Sequence, residues 1–188
     1  MDPNRLTQKS QEAVHQAQAV ATRFGHQQVD AEHLLMALCQ QEGGLVPRLL
    51  EKMNRPSDVV IAELKRELQK RPAVTGPGTE VGKLYITPTL KETFVSAEEE
   101  AKHFKDEYVS VEHLLLAIVK QAEKTAAGSI LHTLGISHDA LLAALTKVRG
   151  HQRVTSADPE ATYEALDRYG RDLVQLARDG KIDPVIGR

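Results

Sequence analysis

Apolar residues along the chain fall into helical stripes. Over residues 8–24, Ala13, Val14, Ala17, Val20, Ala21 and Phe24 follow i, i+3/i+4, i+7 spacing, which gathers them on one face of a helix. Thr7 stands in front of that stripe as its N-cap. Eighty positions later Ile86, Leu90, Phe94, Ala97, Ala101 and Phe104 repeat the stripe. There Thr87-Pro88 supplies a cap followed by proline at the first helical position. Each stripe is followed by a short loop, then Asp30 or Ser110 as N-cap, then an apolar helix opening on Glu-His-Leu-Leu at Glu32 and Glu112. Two further short helices close each half. They carry Val46, Leu49, Leu50, Met53 and then Val60, Ile61, Leu64, Leu68 in the first. In the second they carry Ile130, Leu131, Leu134 and then Leu141, Leu142, Leu145, Val148. No segment alternates convincingly between hairpin turns. The pattern predicts an all-α fold of two four-helix units.

The halves are a duplication. Residues 6–41 align without a gap on residues 86–121, and twelve of these thirty-six positions are identical, among them Thr7/Thr87, Phe24/Phe104, Glu32/Glu112 and His33/His113. By Asp58 and Asp139 the offset has grown to eighty-one, so one residue has been inserted. Repeat one is assigned to residues 1–75 and repeat two to 83–149, joined by a Pro/Gly-rich loop over residues 71–83. Residues 150–160 read as an exposed linker. Helical character resumes over 161–188 with Tyr163, Leu166, Tyr169, Leu173, Leu176 and Ala177.

Composition narrows the function. A net charge of −2, a pI near 6.4 and 4% aromatic residues leave no electrostatic footprint or stacking platform for nucleic acid. The single cysteine, Cys39, cannot form an internal disulfide and sits on an apolar helix, which fits a buried small hydrophobe in a reducing compartment. A polar N-terminus and apolar runs no longer than residues 114–119 give no signal peptide and no membrane span. The expectation is a cytoplasmic protein that binds neither membrane nor nucleic acid.

Candidate chemistry is sparse. Residues 78–83, Gly-Thr-Glu-Val-Gly-Lys, superficially suggest a phosphate loop. Pro77 occupies the place of its first glycine, and Leu84 follows the lysine where serine or threonine should bind magnesium. The Glu-His pairs at residues 32–33 and 112–113 each offer one histidine beside one glutamate. Adjacent helical residues point about 100° apart, so the two cannot chelate one ion together. The eight histidines show no ligand spacing, and no catalytic or metal-binding residue is nominated. The Glu-His words read as helix starts whose acidic residues suit the positive end of the helix dipole.

The doubled pattern Leu-Thr…Ala…Phe…Val-x-x-Glu-His-Leu-Leu-x-Ala-Leu/Ile resembles the double N-terminal domain of the Clp/heat-shock AAA+ unfoldases. The segment Tyr-Glu-Ala-Leu-x-x-Tyr-Gly-Arg-Asp-Leu over residues 163–173 is similar to the ClpB-type disaggregases rather than to ClpA or ClpC. This resemblance implies a pseudo-twofold bundle of eight helices and a mobile substrate-receiving domain. The implied parent is a homohexamer that uses ATP and magnesium to thread aggregated polypeptide in cooperation with the DnaK chaperone system. By the same resemblance Val185 and Ile186 map to part of the parent's adenine pocket. The chain ends before a Walker A or Walker B sequence, so this fragment is expected to be monomeric, to hold no cofactor and not to hydrolyse ATP.

A groove near the seam of the duplication is the expected site for exposed segments of unfolded or aggregated proteins. Thr7, Glu112 and His113 are its polar anchors and Leu90, Phe94 and Tyr108 its apolar contacts, by match to the family's motifs. Leu90 and Phe94 also lie on the stripe that should be core. Tyr108 is favoured for exposure because its counterpart is Gln28, and Glu32 marks a second, related position. The alternative function is an adaptor-docking domain of a ClpA/ClpC-type unfoldase serving a protease.

Overall fold

Both threonines expected to cap helices do so in the computed structural model, which describes residues 3–74, 84–149 and 152–159. Thr7 Oγ1 accepts the Ser10 N–H at 3.3 Å and opens α1 (Gln8–Arg23). Thr87 Oγ1 accepts the Leu90 N–H at 3.1 Å and opens α5 (Pro88–His103). The other helices are α2 (Ala31–Gln40), α3 (Leu45–Lys52), α4 (Ser57–Gln69), α6 (Val111–Lys120), α7 (Ala126–Thr133) and α8 (His138–Arg149). The described residues thus form the expected all-α bundle of eight helices, four from each repeat. The loop residues 78–83, the apolar positions from Tyr163 to Ala177, and Val185 and Ile186 lie outside the described residues.

The two Glu-His-Leu-Leu helices form the centre. Residues 31–39 of α2 and 111–119 of α6 are buried on every face, so these helices read as continuously apolar rather than striped. α1 packs on α2 as α5 packs on α6, and α4 packs on α2 as α8 packs on α6. The third helix of each repeat also crosses to the other repeat. α3 touches α6 and α8, and α7 touches α2 and α4. This exchange merges the repeats into one core. Gly128 permits the tightest approach: a Cβ there would lie 2.6 Å from the Ile118 carbonyl oxygen and 2.8 Å from the Ala122 nitrogen.

Short backbone pairings stitch the repeats at equivalent places. Strands β1 (Gln28–Val29) and β2 (Tyr85–Ile86) pair in parallel, with Val29 opposite Ile86. Eighty positions away, Val109 pairs in parallel with Leu6. Periodicity missed these contacts because two residues are too few to show alternation.

The stretch expected to be an exposed linker is partly docked. Val154 is fully buried, its N–H donates to Asp106 Oδ1 at 2.9 Å, and its carbonyl accepts the Glu107 N–H at 2.9 Å. Its polar neighbours hid the apolar anchor at Val154, and Pro159 is buried as well.

Candidate functional site

Each central helix begins in a polar knot. In the first repeat, His33 closes a capping box on α2 by accepting the Asp30 N–H at its Nδ1, 2.9 Å away. His33 therefore carries its proton on Nε2, which donates to His26 Nδ1 at 2.8 Å. Both rings are held neutral. Burial lowers the His33 pKa to about 4, with His26 and Arg71 adding to the effect. Burial and then Arg71 lower that of His26. Beside them Arg71 bridges Asp30 and Glu32, at 3.4 and 2.7 Å. The other oxygen of Glu32 accepts the Ala127 N–H in the first turn of α7, at 3.3 Å. Burial raises the Glu32 pKa, and Arg71 works against that shift. Asp30 Oδ1 also accepts the Thr87 hydroxyl at 2.9 Å. This knot joins α2 to the starts of α5 and α7 in the other repeat.

The second knot has the same frame and different chemistry. His113 Nδ1 accepts the Ser110 N–H at 3.0 Å, again closing a capping box. Its Nε2 faces Asp106 Oδ2 at 3.1 Å, and Asp106 stands where the first repeat has His26. Arg149 donates to Asp106 Oδ1 at 2.5 Å and lies 3.5 Å from Glu112 Oε1. Its guanidinium carbon also sits 5.4 Å from the centre of the Phe104 ring. Burial pushes the Asp106 carboxyl up, but His113, Arg149 and the Val154 amide outweigh it and hold it below its ordinary value.

These knots place the expected anchors. Thr7, Glu112 and His113 are all buried, Thr7 as a helix cap and the other two inside the second knot. Thr7 also donates its N–H to the Val109 carbonyl at 3.1 Å, which sets it beside the half-buried Tyr108. Leu90 and Phe94 meet elsewhere. They line a small apolar crevice between α5 and α1, together with Val14, Val29, Leu34 and Ile86. At its rim Ile86 is 37% exposed; its chain neighbour Tyr85, 62% exposed, is among the most accessible large apolar side chains described. Two shallow mixed-charge grooves flank the bundle at equivalent positions. One is lined by Glu12, His15, Gln16 and Gln40, the other by Glu92, Val95, Ser96 and Lys120. Among the described residues, no cluster of three or more His, Cys, Asp or Glu could hold a metal ion. Cys39 is buried, and burial pushes its thiol up to about 12. None of the described helices is long and apolar enough to cross a membrane.

Residues 5–134, well over half the chain, match the family described as the Clp repeat (R) N-terminal domain. The chain belongs to that family. Over all 188 residues it is 52% identical to the chaperone protein ClpB of Nitratidesulfovibrio vulgaris and covers 22% of that protein. The chain thus spans about a fifth of the length of the curated relatives it matches. Its fold is similar to the Hsp104 N-terminal domain from Candida albicans, with a TM-score of 0.69 at 21% identity, covering 82% of this chain and 98% of that one. It is also similar to a ClpV N-domain in complex with a VipB peptide, with a TM-score of 0.54 at 18% identity, covering 77% of this chain and 86% of that one.

Within this Clp repeat domain, sequence reasoning missed Arg71, Asp106 and Arg149, the charged residues that organise the knots. Asp106 and His26 differ in type, and Arg149 and Arg71 are not at equivalent positions, so the duplication gives no signal for either pair. Exposure of Ile86 was equally hidden, because its counterpart Leu6 is buried.

Proposed function

We propose that this chain is the substrate-receiving N-terminal domain of a ClpB-type, ATP-dependent protein disaggregase. It takes up exposed segments of unfolded or aggregated polypeptides in the cytoplasm and passes them to an AAA+ ring. The observation that carries this reading is the identity with ClpB chaperones along the whole chain. ATP and magnesium, the homohexamer and cooperation with the DnaK system belong to the whole protein. On this reading the N-terminal domain is monomeric by itself and leaves nucleotide chemistry to the ring.

The client seat is the seam between α1 and α5. Leu90 and Phe94 form its floor and Ile86 its accessible apolar rim, with Tyr85 next along the chain; Tyr108, beside Thr7, is a separate apolar contact. Thr7, Glu112 and His113 act on the client from within, by holding the helix starts that shape this side of the bundle. Such a seat is shallow and largely preformed, which suits weak binding and onward transfer. Titration of the chain with an unfolded polypeptide, followed by residue-resolved NMR, tests the assignment. Shifts should cluster at Ile86, Leu90, Phe94 and Tyr108. Shifts confined to the mixed-charge grooves at Glu92 and Lys120 or at Glu12 and Gln40, together with retention of a folded adaptor in pull-down, would establish the adaptor-docking alternative instead.

A further inference from the structure

The segment after α8 is fastened to the domain at several points. Arg149 Nε donates to the Gln152 carbonyl at 2.5 Å, and the Arg153 guanidinium donates to the Lys105 carbonyl, its Nε at 2.7 Å. Val154 forms a two-way tie, donating to Asp106 Oδ1 and accepting from the Glu107 N–H. Three residues on, the Ala157 carbonyl accepts the Gln8 N–H in the first turn of α1, at 2.8 Å. Val154 is fully buried yet stands apart from the main hydrophobic core. The segment is therefore seated on the bundle and not woven into it.

The seat is specific to this side of the duplication. At the equivalent of Gln8 the second repeat has Pro88, which has no N–H to offer a returning chain. At the equivalent of Asp106 the first repeat has His26, whose Nδ1 is occupied by His33. The segment leaving α4 is held differently, by the Arg71 side chain on Asp30 and Glu32 and by the Val74 N–H on the Gly25 carbonyl at 2.9 Å. It thus also reaches a buried carboxylate, Glu32, but through a side chain. Among the described residues the backbone N–H of Val154 gives the segment leaving α8 a direct tie to one, and that carboxylate also serves Arg149 and faces His113.

We propose that residues 152–157 are a releasable latch, with Asp106 as its catch, that sets the direction in which the chain leaves the domain. The buried Val154, the buried Pro159 just beyond and a few hydrogen bonds stand against the entropy of ordering the segment, so it opens while the bundle stays folded. Resting on the reading above, the latch controls how freely the receiving domain swings relative to the module that follows. Closed, it aims the client seat; open, it turns residues 152–159 into a tether.

Amide hydrogen exchange on the whole 188-residue chain tests the latch without any client. The Val154 and Glu107 amides should be protected, but should exchange at least about tenfold faster than Leu115 in α6, because they open by a local route. Asp106→Asn also weakens the Arg149 pair, so Leu115 reports the loss of global stability; exchange at Val154 and Glu107 should rise by about tenfold or more beyond the rise at Leu115. Gln8→Pro, tolerated at the first position of a helix, keeps the test valid if Asp106→Asn does not fold. It should speed tryptic cleavage after Arg153 several-fold at unchanged melting temperature. Exchange at Val154 as slow as at Leu115 in every variant would make the segment a fixed part of the fold. Exchange as fast as in an unstructured peptide would mean that it is not docked; either result overturns the latch. The polypeptide titration reads the client seat separately, so the two ideas can fail independently.

Discussion

The two knots share a backbone frame and differ in how they keep charge in the interior. In the first repeat two neutral histidines face each other, and the arginine that serves the carboxylates is partly in water, with 30% of the Arg71 side chain exposed. In the second repeat an aspartate replaces one histidine, and its arginine is sealed inside, with 4% of the Arg149 side chain exposed. The same helix start, capped by the same histidine, therefore tolerates two electrostatic solutions. One relies on neutral rings and the other on a buried ion pair. The difference teaches that duplication preserved the hydrogen bonds to the backbone, which any copy of the fold needs, and left the side chains behind them free to diverge.

Removing the arginines should separate the two solutions most sharply. Arg149→Ala leaves Asp106 and Glu112 as uncompensated buried carboxylates and is expected to cost about 3–5 kcal/mol, enough to unfold a marginal domain. Arg71→Ala removes an arginine that is itself partly in water and leaves Glu32 with the Ala127 amide, and should cost about 1–2 kcal/mol, in the range of a lost hydrogen bond to a charged group. Urea denaturation of both variants measures the gap; equal losses would erase the distinction between a sealed and a screened knot.

Acidification should act on the first repeat before the second. His26 and His33 have folded pKa values below the unfolded 6.5, so the unfolded chain takes up protons first and stability falls as the pH drops from about 6.5 toward 4. For His33 the full effect amounts to about 3 kcal/mol at most. The depressed Asp106 stabilises at pH values above its unfolded pKa near 3.8, and that contribution is lost only at still lower pH. His26→Asp installs the second repeat's group in the first. It should flatten the stability profile between pH 6.5 and 5 in denaturation experiments, whereas an unchanged slope would assign the acid sensitivity to other groups.

The smallest contrast lies at the end of the first helix of each repeat. Gly25 and Lys105 occupy equivalent positions with φ of 72° and 59°, a left-handed conformation that suits glycine and strains lysine. Lys105→Gly should therefore stabilise by about 0.5–1 kcal/mol, and Gly25→Lys should destabilise by about 1 kcal/mol. Thermal melts would show opposite shifts of a few degrees.

Much of this molecule was legible in its sequence. The stripes at Ala13 to Phe24 and Leu90 to Phe104, the caps at Thr7 and Thr87, and the twin Glu-His-Leu-Leu words determined eight helices and their duplication, because helical periodicity and capping are local properties of the chain. The histidines of those words were visible as helix starts, though not as the capping-box partners they are. Tertiary structure alone decided the rest. It exchanged α3 and α7 between repeats, gathered Asp106, Glu112, His113 and Arg149 from separate elements, and sank Val154 into a seat that a polar stretch of sequence conceals. It also left Ile86 at the surface while burying its counterpart Leu6. The physical reason is that burial and charge pairing depend on which surfaces meet across the core, and a pattern of spacing within one helix carries no record of its neighbour.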